Sequence, residues 1–203
     1  MSLALLPLVV LVLLVPFLAV SAYALWKIKK ASRAAWAEFA HNHGMLATGF
    51  RIEGSYEDYP LVIETARRGH SKHRYTVTVL SLSVPDALPP EFSLALESLG
   101  DKVLHFLGKK DERIGDADFD KFFEMENLSP ALSAVLRHMA VQEHLYEMVN
   151  QYQTFHIRDG WIHAERRHVP STAEELEEFV GPALMLAHTL EETSRRTQRW
   201  AAR

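Results

Sequence analysis

The sequence predicts an α+β chain: an N-terminal transmembrane helix, then one domain with a mainly antiparallel sheet and two or three packed helices. Three observations predict it. From Leu3 to Leu25 there is no charged side chain, and at about 1.5 Å per residue such a helix reaches roughly 30 to 35 Å, enough to cross a hydrocarbon core. Period-two alternation recurs after Leu46 and again around Asp159-Gly160, the strongest short-range hairpin signal in the chain. Apolar residues at helical spacing follow Ser129-Pro130 and Ser171. The boundaries drawn are residues 1–26 as anchor, 27–45 as basic flank and connecting helix, and 46–203 as the soluble domain.

Pro7 lies near the start of the apolar run and Pro16 kinks it, which a span tolerates because neighbouring groups satisfy the freed carbonyls. A cleaved signal peptide is the rival reading, with Ala22-Tyr23-Ala24 as the small-x-small site. Against it stand the length of the run, the lack of a basic residue before it, and the basic residues that follow at once. Those residues, Lys27, Lys29, Lys30 and Arg33, are the expected lipid contacts, and Trp26 sits where an interfacial aromatic belongs. Positive flanks stay on the cytoplasmic side, so the expected arrangement is a single pass through the inner membrane, N-terminus outside and domain in the cytoplasm.

Charge changes sign along the chain. Of 22 Lys and Arg, 4 fall in residues 1–33, which leaves 18 basic against 26 acidic side chains in the remainder, a balance of −8. An acidic domain is a poor nucleic-acid binder, because that affinity rests on neutralising phosphates. The absence of cysteine excludes thiol catalysis, disulfides and thiolate metal sites.

Taken in order, Ala34 to His43 is helical, with Trp36, Phe39 and Ala40 on one side and Gly44 as its cap. Leu46, Thr48, Phe50 and Ile52 alternate as one strand, and Gly54-Ser55 and Asp58-Tyr59-Pro60 supply turns. Strands follow at Leu61 to Ala66 and Tyr75 to Val84, forming a meander around a polar segment. After a Pro-rich connection, Phe92, Leu94 and Leu96 form another strand. Asp101 to Leu107 fits helix or strand, Lys109 to Arg113 a loop, and Phe119 to Met125 a short strand or turn. Ser129 caps a helix whose face is Leu132, Val135, Leu136 and Met139, stopping or bending near Gln142-Glu143.

A two-residue Asp159-Gly160 turn sets Arg158 opposite Trp161, Ile157 opposite Ile162 and His156 opposite His163. Phe155, Ile157, Ile162 and Ala164 then form the buried side. The closing helix opens with a capping box, Ser171 toward Glu174, and carries the stripe Leu176, Phe179, Val180, Ala183, Leu184, Ala187 and Leu190. Gly181-Pro182 is expected to kink or split it.

The run Ile114-Gly115-Asp116-Ala117-Asp118-Phe119-Asp120-Lys121-Phe122-Phe123 resembles an element, I-G-D-x-x-F-D-x-x-F, of a bacterial membrane-associated domain family of unknown function. Gly115, Asp116, Phe119, Asp120 and Phe123 carry the likeness, followed by Ser129-Pro130 and Asp159-Gly160, over roughly Trp36 to Thr193. The resemblance implies a strand meander, a Ser/Thr-Pro helix, a hairpin and a closing helix, and no activity. Val141 to Gln151 is longer than that pattern.

Asp116, Asp118 and Asp120 invite a calcium-loop reading, which fails because Lys121 and Asn127 stand where Gly and Glu are needed. The alternative is a turn in which Asp116 or Asp120 caps backbone amides while Phe119 and Phe123 pack. Eleven histidines are many, and none falls in a known ligand spacing. The hairpin register singles out His156 and His163, with Glu165 on the same face, as a candidate metal site; the competing reading is a solvated face with Arg158 over Trp161. No nucleophile, phosphate or dinucleotide motif is present and no cofactor is implied. The C-terminal Arg195, Arg196, Arg199 and Arg203 around Trp200 read as a solvated helix end or a lipid contact. The functional expectation is an interaction or scaffold module, with the lipid bilayer and a protein at the membrane as partners; the alternative is a metal-dependent enzyme using the histidine face.

Overall fold

A computed structural model describes residues 5–96 and 112–201. The chain opens with helix α1 (Leu5–Asn42). Trp36, Phe39 and Ala40 on its last turns are buried, and the chain leaves it through Gly44 with Met45 N donating to Ala40 O at 2.7 Å. Among the described residues no helix is long and apolar enough to cross a membrane. That corrects the expected N-terminal transmembrane helix. The described side chains of α1 begin at Val20 and soon meet Lys27, Lys29, Lys30 and Arg33, charges that a hydrocarbon core strongly disfavours. Residues 1–4 of the expected anchor lie outside the described residues.

Among the described residues eight strands form one sheet: β1 (Leu46–Ala47), β2 (Arg51–Tyr56), β3 (Tyr59–Arg68), β4 (Tyr75–Ser83), β5 (Ser93–Leu96), β6 (Phe123–Glu126), β7 (Thr154–Arg158) and β8 (Trp161–Arg166), ordered β1-β2-β3-β4-β8-β7-β5-β6. Every pairing is antiparallel. Among the described residues the other α-helices are α2 (Phe119–Phe122), α3 (Pro130–Leu136), α4 (Met139–Gln151) and α5 (Ala173–Ala201), more than the two or three packed helices expected. The α+β class and the antiparallel sheet match the sequence expectation. Asp101 to Leu107, and Lys109 to Asp111 of the expected loop, lie outside the described residues.

Several elements differ locally from the sequence reading. The alternation from Leu46 to Ile52 is two strands, β1 folded back on β2, because Gly49 takes φ +67 and Thr48 and Arg51 exchange both backbone hydrogen bonds, at 2.8 and 3.2 Å. Gly54-Ser55 lies inside β2; the reversal is made by Glu57 and Asp58, with φ 48 and 71. The break after Ser129-Pro130 comes at Arg137-His138, not at Gln142-Glu143: Arg137 Nε donates to Ile114 O at 2.6 Å and His138 is extended, so α4 restarts the phase and Met139 is 72% exposed. Gly181-Pro182 does not split α5, since Phe179 and Val180 before it and Ala183, Leu186 and Ala187 after it are all buried in one core that holds the helix across the lost bond. The cap of α5 is shifted by one residue: Thr172 Oγ1 accepts from Glu175 N at 3.2 Å while Ser171 N donates to Glu175 at 2.7 Å.

The helices cover one face of the sheet. Ile63, Leu80, Ala164 and Phe155 lie in one buried row across β3, β4, β8 and β7, and Leu61, Leu82, Ile162, Ile157, Leu94 and Met125 lie in the next. Against them pack α5, α4, α3 and the end of α1, joined in a single core cluster that runs from Trp36 to Leu190. Trp36 Nε1 donates to Pro170 O at 3.0 Å, so the indole fixes the approach to α5. The core therefore begins inside the segment expected to be a connecting helix.

Candidate functional site on the sheet face opposite the core

Side chains alternate across a strand, so the residues between the core rows share the other face. One such row reads Glu53, Val62, Ser81, His163, His156, Ala95 and Glu124 across seven strands. Its centre is the β7–β8 hairpin, whose turn has Asp159 at φ 56 and Gly160 at φ 76, the two left-handed positions of a type I′ turn. That turn sets the register read from the sequence: Arg158 pairs with Trp161, Ile157 with Ile162 and His156 with His163.

The two imidazoles stack, with centroids 4.8 Å apart and planes 27° apart, and Trp161 continues the stack at 6.4 Å from His163. Ser81 on β4 reaches His163, its Oγ lying 2.8 Å from Nδ1. Burial lowers the pKa of both histidines, reinforced at His156 by Arg158 and at His163 by His156 itself. Both rings are therefore neutral near pH 7.

Glu165 shares the face and pairs with Thr154, one row away from the histidines. Its carboxylate is gripped on both oxygens by Arg68, with Nε to Oε2 at 3.0 Å and Nη2 to Oε1. Among the described residues no group of three or more His, Asp or Glu comes together in a way that could hold a metal ion. The register thus brings His156 and His163 together, while Glu165 is engaged elsewhere. Ser81 and Arg68 were not singled out from the sequence: Ser81 lies on β4 and meets His163 across 82 residues, and Arg68 lies on β3 and reaches Glu165 across 97, contacts that no local pattern signals.

The I-G-D element is a structural turn. Asp120 accepts from Ile114 N and Gly115 N, both at 3.0 Å, and Asp116 Oδ1 accepts from Asp118 N at 3.1 Å and Phe119 N at 3.2 Å. Phe119 and Phe123 are buried with centroids 4.5 Å apart. The carboxylates that a cation would need are bonded to backbone amides.

On α1, Lys27, Lys29, Lys30 and Arg33 are exposed. Lys30 Nζ lies 5.3 Å from the Trp26 ring centroid, Tyr23 and Trp26 are 6.0 Å apart, and Arg33 sits over Phe50 of the domain at 5.5 Å. At the C-terminus Arg195 and Arg196 pair with Glu191 and Glu192 at 2.8 and 2.5 Å on the same helix. Two cavities are described: a shallow one along α5 between His188 and Arg199, and one where the Pro85–Pro89 connection meets α3 and α5. Neither includes His156 or His163.

No family model, no curated protein and no solved structure matches this chain.

Proposed function

We propose that the chain is a non-enzymatic interaction module held at an anionic membrane surface, its acidic domain facing the cytoplasm and available to a protein partner. The observation that carries this reading is a stripe on α1. At about 100° per residue, Val20, Tyr23, Trp26, Lys27, Lys30 and Arg33 fall within an arc of about 140°. Tyr23 is 63% and Trp26 57% exposed, with Lys30 lying over the indole. Aromatic rings interleaved with lysines are the side chains that suit the headgroup layer, where the ring is half-dehydrated and the ammonium meets phosphate.

The charge distribution supports the orientation. Anionic lipid attracts the basic stripe and repels a domain of balance −8, so the domain is turned away from the surface. The cytoplasmic leaflet is the anionic one. A protein partner finds an exposed aromatic at Phe122, whose ring lies 5.8 Å from Tyr146. The alternative, a metal-dependent enzyme on the histidine face, has a pair of imidazoles to recommend it, but among the described residues they line neither cavity.

Co-sedimentation of the full chain with phosphatidylglycerol vesicles and with phosphatidylcholine vesicles tests the reading. Each lysine near an anionic surface contributes on the order of 1 kcal/mol, so replacing Lys27, Lys29 and Lys30 together by Gln should weaken binding to anionic vesicles about 100-fold and reduce its salt dependence. Equal binding by the wild type and the triple variant sinks it.

A further inference from the structure

We propose that His156 and His163 are paired ligands for one borderline divalent ion, Zn²⁺ or Cu²⁺, with Ser81 orienting His163 and water completing the coordination shell. The inference stands independently of the membrane reading.

The geometry begins with the turn. A two-residue type I′ reversal leaves no slack in register, so the two Cα positions are fixed opposite each other three residues from the hairpin tip and the rings meet on the face opposite the core rows. Their 4.8 Å separation in a near-parallel stack is a pair awaiting convergence. A tetrahedral ion about 2.0 to 2.1 Å from each nitrogen needs those nitrogens roughly 3.4 Å apart, so binding requires the two rings to turn out of the stack until their in-plane lone pairs converge.

Ser81 occupies the Nδ1 side of His163 at 2.8 Å. In the tautomer with Nδ1–H donating to Ser81 Oγ, Nε2 carries the free lone pair, the arrangement by which an outer partner orients a metal-binding imidazole. Among the described residues neither nitrogen of His156, nor Nε2 of His163, has a hydrogen-bond partner; the His163 side chain is partly buried and His156 is exposed. The exposed His156 ring leaves its nitrogens accessible to an ion from solvent.

Chemistry and charge agree. Arg158 opposes a cation on this face, and Asp159 and Glu165 offset it. Since Glu165 is held by Arg68, the protein supplies two nitrogens only, which selects ions that favour imidazole and excludes Ca²⁺ and Mg²⁺, which require oxygen donors.

The test titrates the untagged full chain with Zn²⁺ by calorimetry and, separately, with Cu²⁺ while recording the histidine ring signals by NMR. One saturating ion per chain is expected, with the His156 and His163 signals broadened first. His156→Gln and His163→Gln should each weaken binding at least tenfold, Ser81→Ala about threefold with recovery in Ser81→Thr, and a His70→Gln, His73→Gln double variant should bind as the wild type does. Binding that saturates only above millimolar metal, that survives both glutamine variants, or that broadens other histidines first overturns the proposal. The broadening is read on the wild type, so a variant that fails to fold does not protect the idea.

Discussion

Two tyrosines show how single residues tie the β2–β3 turn to the helices. Tyr56 donates to Glu177 Oε2 at 2.6 Å while His43 holds the other oxygen of the same carboxylate at 2.6 Å, and Tyr59 lies against His188, which reaches Glu57 at 3.0 Å. Burial first, and Glu177 next, raises the pKa of the Tyr56 hydroxyl; burial, with Glu191 behind it, pushes that of Tyr59 up to about 12. The fold thus favours the neutral phenols. The stability this contributes is fully present below the unfolded value near 10 and is lost as pH rises from about 10 through the folded values. Urea unfolding at pH 8.5 and pH 11 should show that loss, with a part of the tyrosinate absorbance at 295 nm delayed beyond the ordinary range. Tyr56→Phe should cost about 1 kcal/mol at pH 8.5 and reduce the alkaline loss; an identical loss in the variant contradicts the assignment. None of this was legible in the sequence, because Tyr56 and Glu177 lie 121 residues apart. The I-G-D turn was legible in kind, since Asp before a buried aromatic signals amide capping, and both Asp116 and Asp120 perform it.

Elements were readable where local chemistry decides them and unreadable where packing does. Asp159-Gly160 fixed a register to the residue, and Ser129-Pro130 marked a helix start that Ser129 Oγ completes by accepting from Leu132 N at 3.2 Å. Gly181-Pro182 misled, because the cost of about 3 kcal/mol for an interior proline is smaller than the burial that holds both sides of it. The basic flank and the apolar run before it suggested two separate pieces, where the structure has one continuous α1. The glycines sharpen the point in opposite directions. A Cβ at Gly181 meets nothing within 4 Å and the residue is helical, so Gly181→Ala should raise stability by roughly 0.5 to 1 kcal/mol. At Gly54 a Cβ falls 2.7 Å from Met45 Cγ and 3.2 Å from Met45 Cα, so Gly54→Ala should lower stability by about 1 to 3 kcal/mol as Met45 is displaced. Denaturant midpoints of both variants check the pair, and a shift of the same sign in each contradicts the packing.

At the scale of the molecule, the question is where the cooperative unit begins. The sequence placed the start of the domain at Leu46, after a connecting helix. In the structure Trp36 and Phe39 are fully buried, Phe39 stacks on Tyr56 at 5.7 Å, Trp36 meets Phe50 edge-on at 5.4 Å, and the indole is bonded to the entry of α5. Losing one large buried aromatic costs about 3 to 5 kcal/mol, and a domain of this size is stable by only about 5 to 15 kcal/mol in total. Removing both, together with Ala40 and the cap at Gly44, therefore uses up most or all of that margin. Before Ile28 the described side chains Val20, Tyr23, Trp26 and Lys27 are exposed, so they contribute to contacts outside the domain and little to its core. A chain of residues 27–203 should accordingly unfold in one transition with intact near-UV circular dichroism, whereas residues 46–203 should give no cooperative transition and should bind a hydrophobic dye. If the shorter chain instead melts sharply with native near-UV signals, α1 is an appendage and not the first layer of the core.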